Sequence, residues 1–525
     1  MEAKWGNKVV TGEERAQKPD IVPFINCAGA IKMLNKHITN KSNIAIHCDV
    51  DVDGIGTGYI IGRFIAHNCG THCKYIINKD KVHGIQQKHA DYFADKPLQF
   101  MIIVDSSSNE IDIIKQFNCD VLVIDHHEVN HSSLIGKTLD GHDYVIVNNT
   151  IDNSDLVEIK ELLSLRSGDA AEKLKEYIAD DRMSCGLVVY ELLRLYCLAY
   201  SDEKVIENML LFQWAGVTLF TDSILLNTPR NQWYIENTIY SNNTETTLKR
   251  LMGELNRYKS SLDKSLINYT IAPVINKAIR ASHCGDALNC VIFYPERIAE
   301  LKKYGDVQLN AVEVGISDIN VFGSFVTRDI SDTDIHWNYS GVIASKILGE
   351  HNKNVVVYKV IDGYAEGSFR GRDATVDYRN KFDSYNSESW AQGHKAAFGF
   401  RCLVGDLNDI MSSLESIEVA NSNKYLLTAG VLNTTSPGEF MIEDMDAFKR
   451  QGGIWKLGVG NSKVSSEEQI LITVSASEAR LVEQRGKLYI YNILGMQCKA
   501  FEPISKPIIN IYVEYTNQID CYIRA

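Results

Sequence analysis

Four short runs dense in Ile and Val constrain this chain most: "NIAIHCD" (43–49), "FMIIVDS" (100–106), "VLVIDHH" (121–127) and "YVIVNN" (144–149). Near-continuous apolar runs of this length read as strands buried on both faces, as in a parallel sheet. "AGAIKMLNKHI" and "GYIIGRFIAH" have helical spacing and alternate with these runs. Alternation of this kind predicts a doubly wound α/β domain from about residue 20 to 230. Three of the four runs stop at Asp or His. Open α/β sheets place their sites at the carboxyl ends of strands, so these polar residues are expected to converge there.

The 525 residues have room for two to four domains in all. Residues 158–222 read as helical, and 231–270 as helices connecting two domains. A second, smaller α/β segment follows, punctuated by "VVVYKV", "GSFRGRDA" and "GHKAAFGF". Beyond residue 416, "QILITVSA", "KLYIYNIL" and "IINIYVEY" alternate as in an all-β module. The division expected is 1–230, 231–270, 271–415 and 416–525.

A net charge of −13 argues against a surface that coats polyanions. It leaves room for a nucleic-acid enzyme, because bound cations and local basic residues offset carboxylates. Twelve cysteines without a CxxC pair read as reduced thiols of a cytoplasmic protein. "HNCGTHC" (67–73) offers His67, Cys69, His72 and Cys73, but without a second ligand pair it reads as a turn after a helix. The Met1–Lys18 stretch is polar and charged, unlike a signal peptide, and no apolar run approaches a membrane span.

The chemistry concentrates in "HCDVDVDGIGTG" (47–58). His47, Asp49, Asp51 and Asp53 have equal parity, so an extended backbone would turn all four to one side. Such crowding is relieved by a cation. Asp105, Asp125, His126, His127 and Asp222 are further candidates, with alternation separating His126 from Asp125 and His127. Mixed imidazole and carboxylate ligands suit Mn²⁺ or Mg²⁺, with Mn²⁺ preferred. These candidates exceed the needs of one ion, so two divalent ions sharing a carboxylate are expected, an arrangement suited to phosphoryl displacement. The "DVDGIGTG" stretch also resembles the nucleophile loop of haloacid-dehalogenase-like phosphatases, but that reading leaves His47, Asp105 and the His pair unused. No GxGxxG dinucleotide fingerprint is present.

Taken together, "HCDVDVDG", "IIVDSS", "IDHHE" and "TLFTDS" resemble the four motifs of the DHH phosphoesterase superfamily. "YTIAPVINKAIRASHCGDA" (269–287) and "YSGVIASKI" (339–347) resemble segments of its RecJ single-strand exonucleases. "GSFRG" (367–371) and "QGHKAAFG" (392–399) resemble signatures of the associated DHHA1 domain. The resemblance implies His47, Asp51 and Asp105 as ligands of one ion and Asp53, Asp105, His126 and Asp222 as ligands of the other. Asp49 and Asp125 fall to supporting positions, and His127 faces the scissile phosphate. Asn276, Arg280, Arg370 and His394 match nucleic-acid-binding positions. The chain departs from the family at Val274, at Gln392-Gly393 and at Val147-Asn148-Asn149, where substrate grip is set.

By this resemblance the chain is expected to be a 5′→3′ exonuclease releasing 5′-mononucleotides from single-stranded DNA, with RNA as the other substrate class. DNA repair and recombination, and a single-strand-binding protein or helicase as partner, belong to the same expectation, as does an OB-like tail. Two alternatives stay open: a relative acting on oligoribonucleotides or cyclic dinucleotides, and a non-catalytic replication scaffold.

Overall fold

The computed structural model describes residues 18–415, except 71, 152–155, 165–173, 175–182, 223, 225, 227, 240, 257–261, 352, 373–375 and 387. It also describes 470–524, except 476–478, 486–487, 494–495, 501–502, 505–507 and 516–518. The chain divides into two compact units, one of Ala16–Ile224 with Arg230–Gln308 and one dominated by Leu309–Ala525.

In the first unit α1 (Cys27–Thr39), β1 (Ile44–Cys48), α2 (Val52–Cys69), β2 (Lys74–Ile77) and α3 (Gln87–Phe93) come first. They are followed by β3 (Phe100–Val104), β4 (Asp120–Asp125), β5 (Ile135–Lys137) and β6 (Asp143–Asn148). The strands form one sheet in the order β2-β1-β3-β4-β6-β5, parallel throughout except for the antiparallel edge strand β5. The four Ile/Val runs are its central strands β1, β3, β4 and β6. Every residue of β3 and β4 is buried, and each large aliphatic side chain so covered contributes about 1.5–3 kcal/mol. One face packs Ala45, Met101, Ile103, Val121, Val123 and Ile146 against Ile85, Phe93 and Phe117. The chain leaves β1 toward β2 on one side and reaches β3 on the other. The carboxyl ends of β1 and β3 therefore flank the crevice where strand order reverses, the place such sheets hold ligands.

The extended backbone expected through Asp53 ends earlier. β1 stops at Cys48 and α2 starts at Val52, because the Asp51 carboxylate caps the helix by accepting the Gly54 N–H at 2.9 Å. Only His47 is on the strand, and a helical turn rather than strand parity carries Asp53. The glycines let α2 lie against the strand it has just left. A Cβ on Gly54 would sit 2.6 Å from the Asp49 carbonyl oxygen, and one on Gly58 would sit 2.2 Å from the Cys48 sulfur. The "HNCGTHC" stretch is the turn expected: Gly70 closes α2 in the left-handed region at φ 69°, His67 and His72 are exposed, and Cys69 and Cys73 are buried.

Two helices, α4 (Cys185–Tyr200) and α5 (Phe212–Thr221), pack over α2. The helices after residue 230 belong to the same unit, tied down by Glu245, whose buried carboxylate accepts Tyr59 O–H at 2.8 Å and Trp214 Nε1–H at 3.1 Å. α6 (Ala272–Arg280) follows them.

The second unit contains β7 (Asn320–Phe322), β8 (Phe325–Asp329), α7 (Ser340–His351), β9 (Asn354–Ile361), β10 (Tyr364–Arg370), β11 (Trp390–His394) and β12 (Ala397–Leu403). Its sheet runs β11-β12-β10-β9-β8-β7, antiparallel except between β8 and β9. Ile343, Ala344 and Ile347 of α7 close one face against Val355 and Val357. A β-rich tail is present as β13 (Ile470–Ser475), β14 (Ala479–Arg485), β15 (Leu488–Ile493), β16 (Met496–Ala500), β17 (Ile508–Tyr515) and β18 (Ile519–Arg524). These six strands form a third sheet, and residues 416–469 of the expected tail lie outside the described residues. Among the described residues no helix is long and apolar enough to cross a membrane.

Candidate metal centre

Three groups of side chains in the first unit place their ligand atoms within 4.8 Å of one another: Asp53, His126 and Asp222; Asp105, His126 and His127; and Asp49, Asp51 and Asp105. Asp105 and His126 each belong to two groups, so the three form one continuous cluster. Its members arrive from the ends of β3 and β4, the start of α2 and the end of α5.

Asp53 sits in the first turn of α2 and faces the start of α4. Its carboxylate accepts the Cys185 and Gly186 N–H groups at 2.9 and 3.0 Å and the Thr57 hydroxyl at 3.0 Å. Two helix N-termini thus support one buried anion. His126 points its Nε2 at Asp105 Oδ1, 3.1 Å away, and at Asp53 Oδ2, 4.0 Å away. Its Nδ1 lies 2.8 Å from the Met183 carbonyl oxygen and 3.6 Å from Asp222 Oδ2. Asp222 occupies the C-cap of α5. Asp105 adopts φ 66°, a left-handed conformation uncommon for a residue with a side chain, immediately after β3. That strain turns its carboxylate into the cluster.

Asp125 ends β4 and does not join a group. It accepts the Ser108, His126 and His127 N–H groups at 3.0, 2.7 and 3.1 Å, and its Oδ1 lies 2.8 Å from His127 Nδ1. Burial works against charge on His127, yet the Asp125 charge and hydrogen bond hold its pKa up to about 10. His47 stands apart from the three groups. Its buried ring lies 5.0 Å from that of His89, and neither ring nitrogen has a hydrogen-bond partner. Burial and the neighbouring His89 depress its pKa to about 3, leaving a neutral imidazole with a free lone pair.

The carboxylates show what the cluster can hold. Burial raises the Asp53 pKa to about 7; His126 opposes the rise, while Asp222 and Asp51 add to it. Asp105 is driven well above the ordinary carboxylate range by burial and then by Asp53, Asp51, Asp49 and Asp222. Buried like charges at this spacing are stable when a cation lies between them. The donor set fits divalent metal: hard carboxylate oxygens, neutral imidazoles and an unpartnered buried nitrogen pair.

Sequence reasoning missed His83 and noted Asn148 only as a departure from the family. His83 holds Asp49 through an Nδ1···Oδ2 contact, and Gly84 N–H donates to the other oxygen at 3.0 Å. Asn148 donates to the His127 carbonyl at 2.9 Å and to the Ser108 hydroxyl at 3.2 Å. Its position at the end of the apolar run "YVIVNN" was the signal for a site role. Of the expected nucleic-acid positions, Asn276 and Arg280 lie on α6, with Arg280 donating to Gln308 at 2.9 Å. Arg370 and His394 lie at the ends of β10 and β11 in the other unit.

Comparison with known proteins agrees with this geometry. Residues 43–216, which supply every cluster member except Asp222, match the DHH family, N-terminal domain. The chain carries a DHH-family domain. The SPbeta prophage-derived single-strand DNA-specific exonuclease YorK of Bacillus subtilis (strain 168) is 24% identical over 355 residues. That alignment takes in 65% of this chain and 53% of YorK, so the match spans about half the length of the relative. RecJ of Thermus thermophilus in complex with Mn²⁺ superposes with a TM-score of 0.63 at 15% identity, over 98% of this chain and 74% of RecJ. Its complex with Mg²⁺ gives 0.58 at 16% identity, over 98% and 72%. The DHH domain therefore sits within a RecJ-like fold.

Proposed function

We propose that this chain is a metal-dependent exonuclease that degrades single-stranded DNA from its 5′ end to 5′-mononucleotides. The observation that carries the reading is the continuous cluster of Asp49, Asp51, Asp53, Asp105, His126, His127 and Asp222 at the switch point of a parallel sheet. YorK and RecJ, as their names describe them, support the nucleic-acid substrate and the ions.

In this reading Asp53, Asp105, His126 and Asp222 hold one divalent ion, Asp51 and Asp105 with His47 hold a second, and Mn²⁺ is preferred over Mg²⁺. Such ions lower the pKa of water and neutralise phosphate charge. The protein's own groups do the rest. The helix N-termini behind Asp53 keep that carboxylate in place. Asp125 fixes the His127 ring through Nδ1, and the imidazolium it supports stabilises charge as it develops on a phosphate oxygen. Asp49, engaged by His83 and Gly84, supports the cluster from behind. Asn276, Arg280, Arg370 and His394 grip the strand, arginine suiting phosphate by its planar fork. The tail acts as an OB-like strand-binding surface. We assign the activity to DNA repair or recombination in the cytoplasm, beside a single-strand-binding protein or helicase.

The test is hydrolysis of single-stranded DNA blocked at the 5′ or the 3′ end, with and without Mn²⁺. Mn²⁺-dependent release of mononucleotides that a 5′ block stops is expected. Activity confined to dinucleotides or cyclic dinucleotides would contradict the reading in favour of a small-substrate phosphodiesterase.

A further inference from the structure

Alternation along β10 puts Tyr364, Glu366, Ser368 and Arg370 on one face of the second-unit sheet. The other face is closed by Ala365, Phe369, Phe398, Phe400 and Cys402. Strand register extends the first face sideways: Arg401 of β12 lies beside Glu366, and Trp390 of β11 lies beside Arg401. The start of α7 covers this face over β10, where the Ser340 hydroxyl lies 2.9 Å from that of Ser368. Toward β11 none of the described residues covers the face as α7 does over β10. Trp390 is 45% exposed although it is a large aromatic residue in a strand. Gly399 sits between Ser368 and Gln392, and a Cβ built on it would meet nothing nearer than backbone oxygens at 3.7 and 4.0 Å.

At the end of this trough the Arg401 guanidinium lies 3.9 Å over the centre of the Tyr364 ring. Its Nε is 3.3 Å from a Glu366 oxygen, and Tyr364 O–H donates to Glu388 at 3.0 Å, so both planes are held in place. A planar guanidinium fixed on a ring, beside the exposed Trp390, is a surface that offers π faces. From the Glu366–Arg401 row to Arg370 is four strand residues, roughly 13 Å along the sheet.

We propose that Trp390 and the Arg401–Tyr364 pair form a stacking platform for a nucleobase of single-stranded nucleic acid, whose phosphates cross the open floor at Gly399 toward Arg370. The platform rests on the single-strand reading above and adds to it a base-contacting site in the second unit. Stacking there is tolerant of sequence, because every base has a π face. Glu366 already meets the Arg401 charge, so the platform contributes stacking, and the guanidinium of Arg370 is the group that faces phosphate.

The test is fluorescence anisotropy with labelled oligodeoxythymidylates of two and twelve nucleotides, using the full chain in EDTA. Trp390→Ala is expected to weaken the twelve-nucleotide complex about tenfold, the worth of one stacked base. Trp390→Phe keeps a π face and should stay within about twofold of wild type, with the two-nucleotide complex losing less than the longer one. Binding by Trp390→Ala equal to wild type, an equal loss in Trp390→Phe, or the same loss at both lengths would overturn the platform. Wild-type protein that binds neither oligonucleotide would sink the single-strand reading itself, and the platform with it. A dimer in sedimentation that Trp390→Ala dissolves, with oligonucleotide binding unchanged, would overturn the platform and assign the face to a second copy of the chain.

Discussion

The two α/β units handle polar side chains in opposite ways. In the first, carboxylates and imidazoles are driven inward at the ends of parallel strands, where Asp49, Asp53, Asp105 and His126 are all buried. In the second, polar residues spread across one face of a largely antiparallel sheet and remain partly open to solvent, as Arg370, Arg401 and Trp390 do. Buried charges of like sign need a counter-charge inside the fold, whereas half-exposed ones are met in part by solvent. The contrast separates a centre built for ions and chemistry from a surface built for grip.

Replacing Asp105 with Asn should break the first half of that contrast most completely. It removes the carboxylate shared by two groups, and hydrolysis of single-stranded DNA should fall by at least about 10²–10³-fold, read from initial rates in Mn²⁺. Asp125→Asn should cost about 10–100-fold, because it leaves the cluster intact but frees the His127 ring. The loss should fall on kcat rather than on KM. Arg370→Ala tests the other half, with about a tenfold rise in KM and little change in kcat, since a half-exposed phosphate contact supplies binding rather than chemistry. Gly58→Val should force α2 off β1, lowering stability by about 1–3 kcal/mol in urea unfolding and lowering activity with it, because α2 carries Asp53. His67→Ala and His72→Ala should change neither rate nor stability measurably, as expected for exposed turn residues. A loss of bound metal on either change would instead restore the zinc reading of that stretch.

How much the sequence revealed follows from the same contrast. The central strands were legible because burial on both faces demands unbroken Ile and Val, and their ends were marked by Asp and His. The passage from His47 to Asp53 was misjudged, because strand parity and a helix N-terminus both place carboxylates on one side. The deciding signal, Asp51 three residues before Gly54, is a capping pattern. His83 was not legible: it lies in a loop without periodicity, and only the β2-β1-β3 strand order brings it to Asp49. His89 lies on α3, and only the tertiary packing brings its ring beside His47. In the second unit "GSFRG" and "QGHKAAFG" marked the strands, but the alignment of Arg401 with Trp390 and Tyr364 depends on antiparallel register, which no local pattern encodes.

The central claim is that the buried carboxylate cluster is a seat for divalent metal, and thermal unfolding with and without Mn²⁺ tests it most directly. At 100 times the dissociation constant, bound metal should stabilise the wild-type chain by about 2.7 kcal/mol and raise its Tm. Asp105→Asn relieves repulsion among buried carboxylates, so without metal it should melt at or above the wild-type temperature, and Mn²⁺ should leave it unmoved. If wild type and Asp105→Asn respond to Mn²⁺ alike, or neither responds, the cluster is not a metal seat and the account fails.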